Sequence, residues 1–437
     1  MASPISTPPR IRRTHNDDPD PTTPILPSLA ALHVSDVVGR NTIVLPPCRS
    51  LEDAIISAST HVWDVPVLRT MQMEAISHIL NHRTPNKLLL VARTGVGKTH
   101  VTRTVGVILR GIILIIIPLL SLSADQLRKF RSACQSFGSV VVYHLDEIMN
   151  APRSLRDKLL DRLSELQNNT TSTVFLFVSP QFLMKQESFR HALISQARRG
   201  VLRLIKLDEV HLHVQHGVSF RRDIRMLKDF FFLPIFTTNP ERAARPFVFC
   251  CTATMSQEYI SLLATLTSVG FPSTAQIWST HEDFQQRTIG MTYYTSSEYI
   301  KKGLNQVVDF FLNNPGRCAC VFVNSRGLSH KIVVELEKKL DNNNLQLDVI
   351  RIPGQLDRFE KFYFTRIFYS YLVVSEFSAD TLVGMSAINV GLDNEHVDFV
   401  LQIGWSRDLH TFFQEKGRCS RVFSALSICL VLGVKLD

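Results

Sequence analysis

The sequence predicts an α/β protein of two tandem domains, each a mainly parallel sheet with helices on both faces. Three observations carry that expectation. From about Leu51 onward, short apolar runs alternate with helix-length segments, the pattern of buried parallel strands joined by crossover helices. The first of these runs, Lys87–Val91, breaks into a glycine-bearing loop and then a segment with few helix breakers. A second series of apolar runs follows a polar stretch at Ser279–Ser297, which places the division between domains near residue 290.

Taken in order, residues 1–47 hold nine of the 20 prolines. Such a segment buries too little apolar surface to offset its chain entropy and is expected to be a disordered tail. Arg10, Arg12 and Arg13 form a weak candidate for a nuclear address there, with Asp17, Asp18 and Asp20 neutralising them nearby. Residues 48–290 form the first expected domain, with strands at Lys87–Val91, Ile112–Ile117, Val140–Tyr143, Val174–Val178, Leu202–Leu207 and Phe247–Cys251. Residues 291–437 form the second, with strands at Ala319–Val323, Gln346–Ile352, Tyr371–Val374, Thr381–Val383 and Phe399–Ile403.

Composition narrows the class. A chain of 437 residues, 45% hydrophobic and 20% charged, is globular and long enough to bury more than one core. The net charge of +9 is compatible with a polyanionic partner and does not establish one. Cys48, Cys134, Cys250, Cys251, Cys318, Cys320, Cys419 and Cys429 show no paired C-x₂-C spacing, so no structural zinc is expected. With no secretory leader in view, reduced thiols in an intracellular compartment are expected. The apolar windows Gly111–Leu122 and Val422–Val434 are too short to span a bilayer, so a soluble chain without a membrane partner is expected.

The chemistry begins at Ala92-Arg93-Thr94-Gly95-Val96-Gly97-Lys98-Thr99. Gly95 and Gly97 permit a tight loop in which the backbone N–H groups of Thr94, Gly95, Val96 and Gly97 point inward, at the positive end of a helix dipole. Lys98 would reach the β- and γ-phosphates of a nucleotide, and the Thr99 hydroxyl would hold Mg²⁺. By itself such a loop suits a kinase or a GTPase as well.

A second motif restricts it. Leu204–Leu207 runs into Asp208-Glu209-Val210-His211. An acidic residue ending a hydrophobic strand sits beside the phosphate loop in a P-loop sheet. Asp208 would anchor Mg²⁺ through water, and Glu209 would orient or deprotonate the attacking water; without the upstream loop the same residues would read equally well as a strand-end acidic pair facing solvent. His211 would sense the γ-phosphate or couple to the next motif.

Asp-Glu-x-His after such a loop resembles superfamily 2 helicases, and the flanking residues resemble the RecQ branch. Leu68-Arg69, Gln72 and Ala75-Ile76 look like its adenine-reading motif, with Gln72 able both to donate and to accept at the adenine edge. Pro118–Leu122 with Asp125-Gln126, then Phe177–Gln181, then Thr252-Ala253-Thr254 are similar to its next elements. In the second half, Val321–Arg326 with Asn324 and Arg326, Ser386–Asp393 and Phe412–Arg421 continue in the family's order. The resemblance implies two RecA-like domains, ATP and Mg²⁺ as cofactors, and movement 3′→5′ on single-stranded or forked DNA. It also implies that Thr252 and Thr254 link hydrolysis to movement, and that Arg421, with Arg418 as companion, reaches the γ-phosphate from the second domain. A planar guanidinium suits that task because it neutralises and hydrogen-bonds phosphate oxygens together.

Departures from the family are local. Its aromatic-rich loop reads Val214–Arg221 here: Gly217, Phe220 and Arg221 fit, His216 replaces a Trp, and Val218-Ser219 replace a His-Asp pair. Imidazole still stacks on bases, so coupling between DNA and hydrolysis would be altered rather than lost. The resemblance runs from Leu68 to Arg421. The sixteen residues after it hold neither the zinc platform nor the winged helix that many RecQ proteins carry, so the chain reads as a helicase core truncated after the arginine motif. The alternatives are an RNA-directed helicase and a non-catalytic nucleic-acid-binding relic; protein partners are not legible.

Overall fold

The computed structural model describes residues 48–81, 86–92, 96–117, 127, 130–131, 139–148, 152–168, 170–219, 222–237, 245–279, 287–294, 298–315, 317–323, 325–345, 347, 349–352, 381–384, 397–404 and 427–434. Two sheets organise them. The first comprises β1 (Lys87–Val91), β2 (Gly111–Ile116), β3 (Val140–His144), β4 (Thr173–Val178), β5 (Leu202–Leu207), β6 (Phe247–Thr252) and β7 (Gln276–Trp278), in the spatial order β3-β4-β2-β5-β6-β1-β7. The second comprises β8 (Arg287–Tyr294), β9 (Cys318–Val323), β10 (Val349–Ile352), β11 (Thr381–Gly384), β12 (Val397–Ile403) and β13 (Ser427–Val434), in the order β10-β11-β9-β12-β13-β8. Neighbouring strands in both sheets run parallel. The fold is α/β, as expected.

The first core follows from strand periodicity. Leu88 and Leu90, Ile113 and Ile115, Phe175 and Phe177, and Phe247, Phe249 and Cys251 alternate onto one face. There they meet Ile55 and Val62 of the helix Leu51–Trp63, Ile76 and Ile79 of Thr70–Leu80, and Val101 and Val105 of Lys98–Leu109. The intervening strand residues are buried as well, with β2, β4 and β6 covered along their whole length. A sheet covered on both faces has to be built from continuous apolar runs, and these strands read that way.

The second core is smaller. The helix Tyr299–Asn313 contributes Leu304, Val307, Val308 and Phe311 at helical spacing, and Arg326–Asn342 contributes Ile332, Leu336 and Leu340. They pack with Val321, Phe322, Phe399 and Leu401 of β9 and β12. Among the described residues no helix is long and apolar enough to cross a membrane.

Three strands differ from expectation. β7 is three residues long and lies at the edge beside β1. β8 occupies part of the stretch read as polar and irregular, and it belongs to the second sheet while running across the division expected near 290. β13 lies inside the apolar window Val422–Val434 and is inserted between β12 and β8. β7 and β8 are edge strands, paired on one side only, so neither needs the continuous apolar run that marks a central strand. The expected strand at Gln346–Ile352 begins at Val349. The one expected at Tyr371–Val374 lies outside the described residues.

Candidate active site

The motifs meet because β5, β6 and β1 are adjacent and parallel, which puts their carboxyl ends on one edge of the sheet. In open α/β sheets that edge is where ligands bind. Ala92 after β1 donates its N–H to the Thr252 carbonyl of β6 at 2.9 Å, and the Asp208 N–H reaches the Ile116 carbonyl of β2 at 3.0 Å. The phosphate loop, the acidic motif and the Thr252–Thr254 segment are thereby fixed to a common frame.

Gly97 begins the helix Lys98–Leu109 at φ +84°, a conformation that L side chains rarely adopt. The Gln72 amide packs against that glycine, so a Cβ there would also collide. Gln72 Nε2 donates to the Val96 carbonyl at 3.2 Å and to the Gly97 carbonyl at 3.3 Å, while its Oε1 accepts from Arg69 N at 2.9 Å. Both ends of the amide expected to read adenine thus hold the chain itself, tying the loop to the start of the helix Thr70–Leu80. Lys98 is buried and donates from Nζ to the Ala92 carbonyl at 2.7 Å. Thr99 lies half-buried in the first turn of the same helix.

One turn below the loop, His100 Nε2 lies 2.9 Å from Ser59 Oγ. Ser59 gives its own proton to the Val65 carbonyl at 2.6 Å, so the imidazole Nε2–H is the donor of the pair. Burial, and then the positive charge of Arg103, push the His100 pKa down to about 4. It is neutral at ordinary pH.

Asp208 is buried, with 3% of its surface exposed. Its Oδ1 accepts from the Cys251 thiol at 3.0 Å and from Glu209 N at 3.2 Å, while Oδ2 faces Lys206 Nζ at 3.3 Å. Burial, followed by the Asp208 charge, pushes the Cys251 pKa well up, so the thiol keeps its proton and donates it. Glu209 leaves the strand at φ +45°, in the left-handed region that a residue with a Cβ seldom occupies. His211 Nδ1 lies 2.6 Å from Thr252 Oγ1 and 3.4 Å from Glu209 Oε2. Thr252 Oγ1 donates onward to the Thr254 carbonyl at 3.0 Å.

Thr99 and Asp208 offer a hydroxyl and a carboxylate, hard oxygen donors of the kind Mg²⁺ accepts alongside substrate phosphates and water. Among the described residues there is no cluster of three or more His, Cys, Asp or Glu side chains that could hold a metal on its own. A hydroxyl and a carboxylate are the donors that fit a Mg²⁺ ion brought in with a nucleotide.

Of the residues singled out in the sequence, Gln72, Val96, Gly97, Lys98, Thr99, Asp208, Glu209, His211, Thr252 and Thr254 belong to this edge of the first sheet. Thr94, Gly95, Phe220, Arg221, Asn324, Arg418 and Arg421 lie outside the described residues. His216 and Arg326 lie in helices whose backbone alone is described at those positions. Lys206, Cys251, Ser59 and His100 were not singled out. Lys206 carried a signal, a charge inside an apolar strand two positions before an acid; Ser59 and His100 are 41 residues apart and carried none.

The fold and these strand ends define an α/β core with a phosphate-loop site, and the family matches define its class as a helicase core. The DEAD/DEAH box helicase family matches residues 69–262, and the helicase conserved C-terminal domain matches residues 302–423. Within that class, the chain carries a RecQ-like superfamily 2 helicase core. It is 21% identical over 363 residues to ATP-dependent DNA helicase Q-like 2 of Arabidopsis thaliana, covering 83% of this chain and 46% of the relative. It is 22% identical over 370 residues to ATP-dependent DNA helicase RecQ of Bacillus subtilis, covering 84% of this chain and 54% of the relative. The chain thus spans about half the length of these curated relatives. The helicase Lhr of Mycobacterium smegmatis, solved bound to ssDNA and AMP-PNP, shares the fold, with a TM-score of 0.61 at 16% identity over 87% of this chain and 47% of Lhr.

Proposed function

We propose that this chain is an ATP-dependent helicase or translocase that moves 3′→5′ on single-stranded DNA. One observation carries the reading: the end of β6 ties the phosphate loop at Ala92 to the acidic motif at His211 through a single residue, Thr252. The names of the curated relatives, both DNA helicases, support DNA as the substrate.

In this reading the Lys98 ammonium leaves the Ala92 carbonyl for the β- and γ-phosphates, and the loop N–H groups hold the remaining phosphate oxygens. Mg²⁺, when bound, would neutralise phosphate charge, with Thr99 and Asp208 as its protein ligands. Glu209, partly exposed just after β5, takes the proton of the attacking water. His211 passes the state of that carboxylate to Thr252 and Thr254, whose segment changes its grip on the strand. Arg421 and Arg418 would complete the site from the second domain.

The test is ATPase activity of the purified chain with and without single-stranded DNA, beside RNA of equal length, and strand displacement on duplexes with a 3′ or a 5′ overhang. DNA-stimulated hydrolysis that falls at least about 10²-fold in Lys98→Ala and in Glu209→Gln is expected. Hydrolysis indifferent to nucleic acid and to both substitutions would sink the proposal; stronger stimulation by RNA would move it to the RNA-directed class.

A further inference from the structure

Lys206 stands two positions ahead of Asp208 on β5, and strand alternation turns both side chains to the same face. Its partners across the sheet are Ile115 of β2 and Phe249 of β6, members of the apolar core that also holds Val101 and Val105 of the phosphate-loop helix. Its exposed surface is 0%. A lysine is hardly ever buried to that degree unless it is paired. Asp208 Oδ2 lies 3.3 Å from its Nζ, and among the described residues no acceptor stands in hydrogen-bonding geometry to that nitrogen.

We propose that Lys206 is a resident counter-ion of Asp208, a positioning residue that weakens the divalent ion's hold on that carboxylate and so sets the metal concentration hydrolysis requires. This rests on Asp208 being a metal-holding residue. Asp208 carries one negative charge, and the ammonium at 3.3 Å already balances it. Lys206 is rooted in a central strand between β2 and β5's other neighbour, β6, and has no exposed surface through which to withdraw. The ammonium therefore stays when a second cation arrives. A divalent ion then meets a neutral pair in place of a bare carboxylate, and the two cations repel through an interior that screens them poorly. Lys206 can hold Asp208 in position and oppose the metal with the same charge.

Mn²⁺ in the presence of saturating ADP is the probe, and its binding to the full chain can be followed by electron paramagnetic resonance without turnover. Lys206→Met keeps the length of the side chain and removes the charge. It is expected to bind Mn²⁺ about tenfold more tightly than the wild type. Unchanged or weaker binding would overturn the inference, since a residue that only filled space or supported Asp208 would give one of those results. A wild type that binds no Mn²⁺–ADP would remove the reading of the site itself, and this inference with it. Thermal unfolding of the metal-free protein supplies a second arm that does not depend on Lys206→Met folding. Asp208→Asn strands the buried ammonium and should lower the midpoint by about 10 °C; an unchanged midpoint would show that no ion pair holds Lys206 and would overturn the proposal.

Discussion

His211 Nδ1 and Thr252 Oγ1 meet at 2.6 Å across the ends of two adjacent strands, so the acidic motif and the segment after β6 share a proton. The Thr252 hydroxyl gives its hydrogen to the Thr254 carbonyl, which leaves it an acceptor toward the imidazole. Thr252→Val has the same shape without the acceptor. The imidazole then has Glu209 Oε2, now at 3.4 Å, as the nearest oxygen on offer, and a ring drawn to it engages the carboxylate needed for water. Urea unfolding should show a loss of about 1–3 kcal/mol, and the response of ATPase to DNA should fall more than the basal rate. A stability equal to wild type would argue that the contact carries nothing.

Gln72 separates two roles for one amide. As a tether it holds Val96 and Gly97, whatever base is bound; as a base reader it acts on adenine alone. If the tether dominates, Gln72→Ala weakens ADP and GDP binding alike, by roughly tenfold for the two hydrogen bonds to the loop that are lost. A loss confined to ADP, read by calorimetry, would favour adenine reading.

Glu209 is held at φ +45° by its place after β5. Glycine has no steric cost there, so Glu209→Gly should gain on the order of 1 kcal/mol in stability while ATPase activity disappears. Glu209→Gln keeps the backbone strain and should show the loss of activity without the gain. A lower thermal midpoint for the glycine variant would contradict strain at this position.

His100 supplies a pH signature. Its folded pKa of about 4 lies below the ordinary value of 6.5. The unfolded chain therefore binds a proton that the folded chain resists, so this contribution to stability is present above pH 6.5 and is lost as pH falls toward 4. The loss across that window is on the order of 3 kcal/mol. Thermal midpoints of wild type and His100→Gln followed from pH 7 to 4 should draw together as the wild type declines. Parallel curves would dismiss His100 as the cause.

Sequence and structure agree best where periodicity and position say the same thing. The five central strands of the first sheet, β4, β2, β5, β6 and β1, read as apolar runs because both of their faces are covered, and the loops following β1, β5 and β6 carry the motif residues. β7 and β8 escaped because edge strands leave a weaker pattern, and β13 because an apolar window says nothing about its neighbours. Side-chain partnerships were the least legible. Gln72 reads as a ligand group and is found bonded to the chain, and Lys206 disappears inside a run counted as apolar. Ser59 and His100 are brought together only when their two helices pack.

The order of the strands along the sheet has a consequence for synthesis. β3, β4, β2 and β5 are contiguous in the sheet and drawn from residues 111–207, so they can zip together as soon as that length has left the ribosome. β1 emerges before all of them, yet its neighbours are β6 and β7, which begin at Phe247 and Gln276. The strand that carries the phosphate loop is made first and paired last. Parallel pairings over such separations form slowly, so a nascent chain that stops short of β6 carries the nucleotide-binding residues without the frame that arranges them.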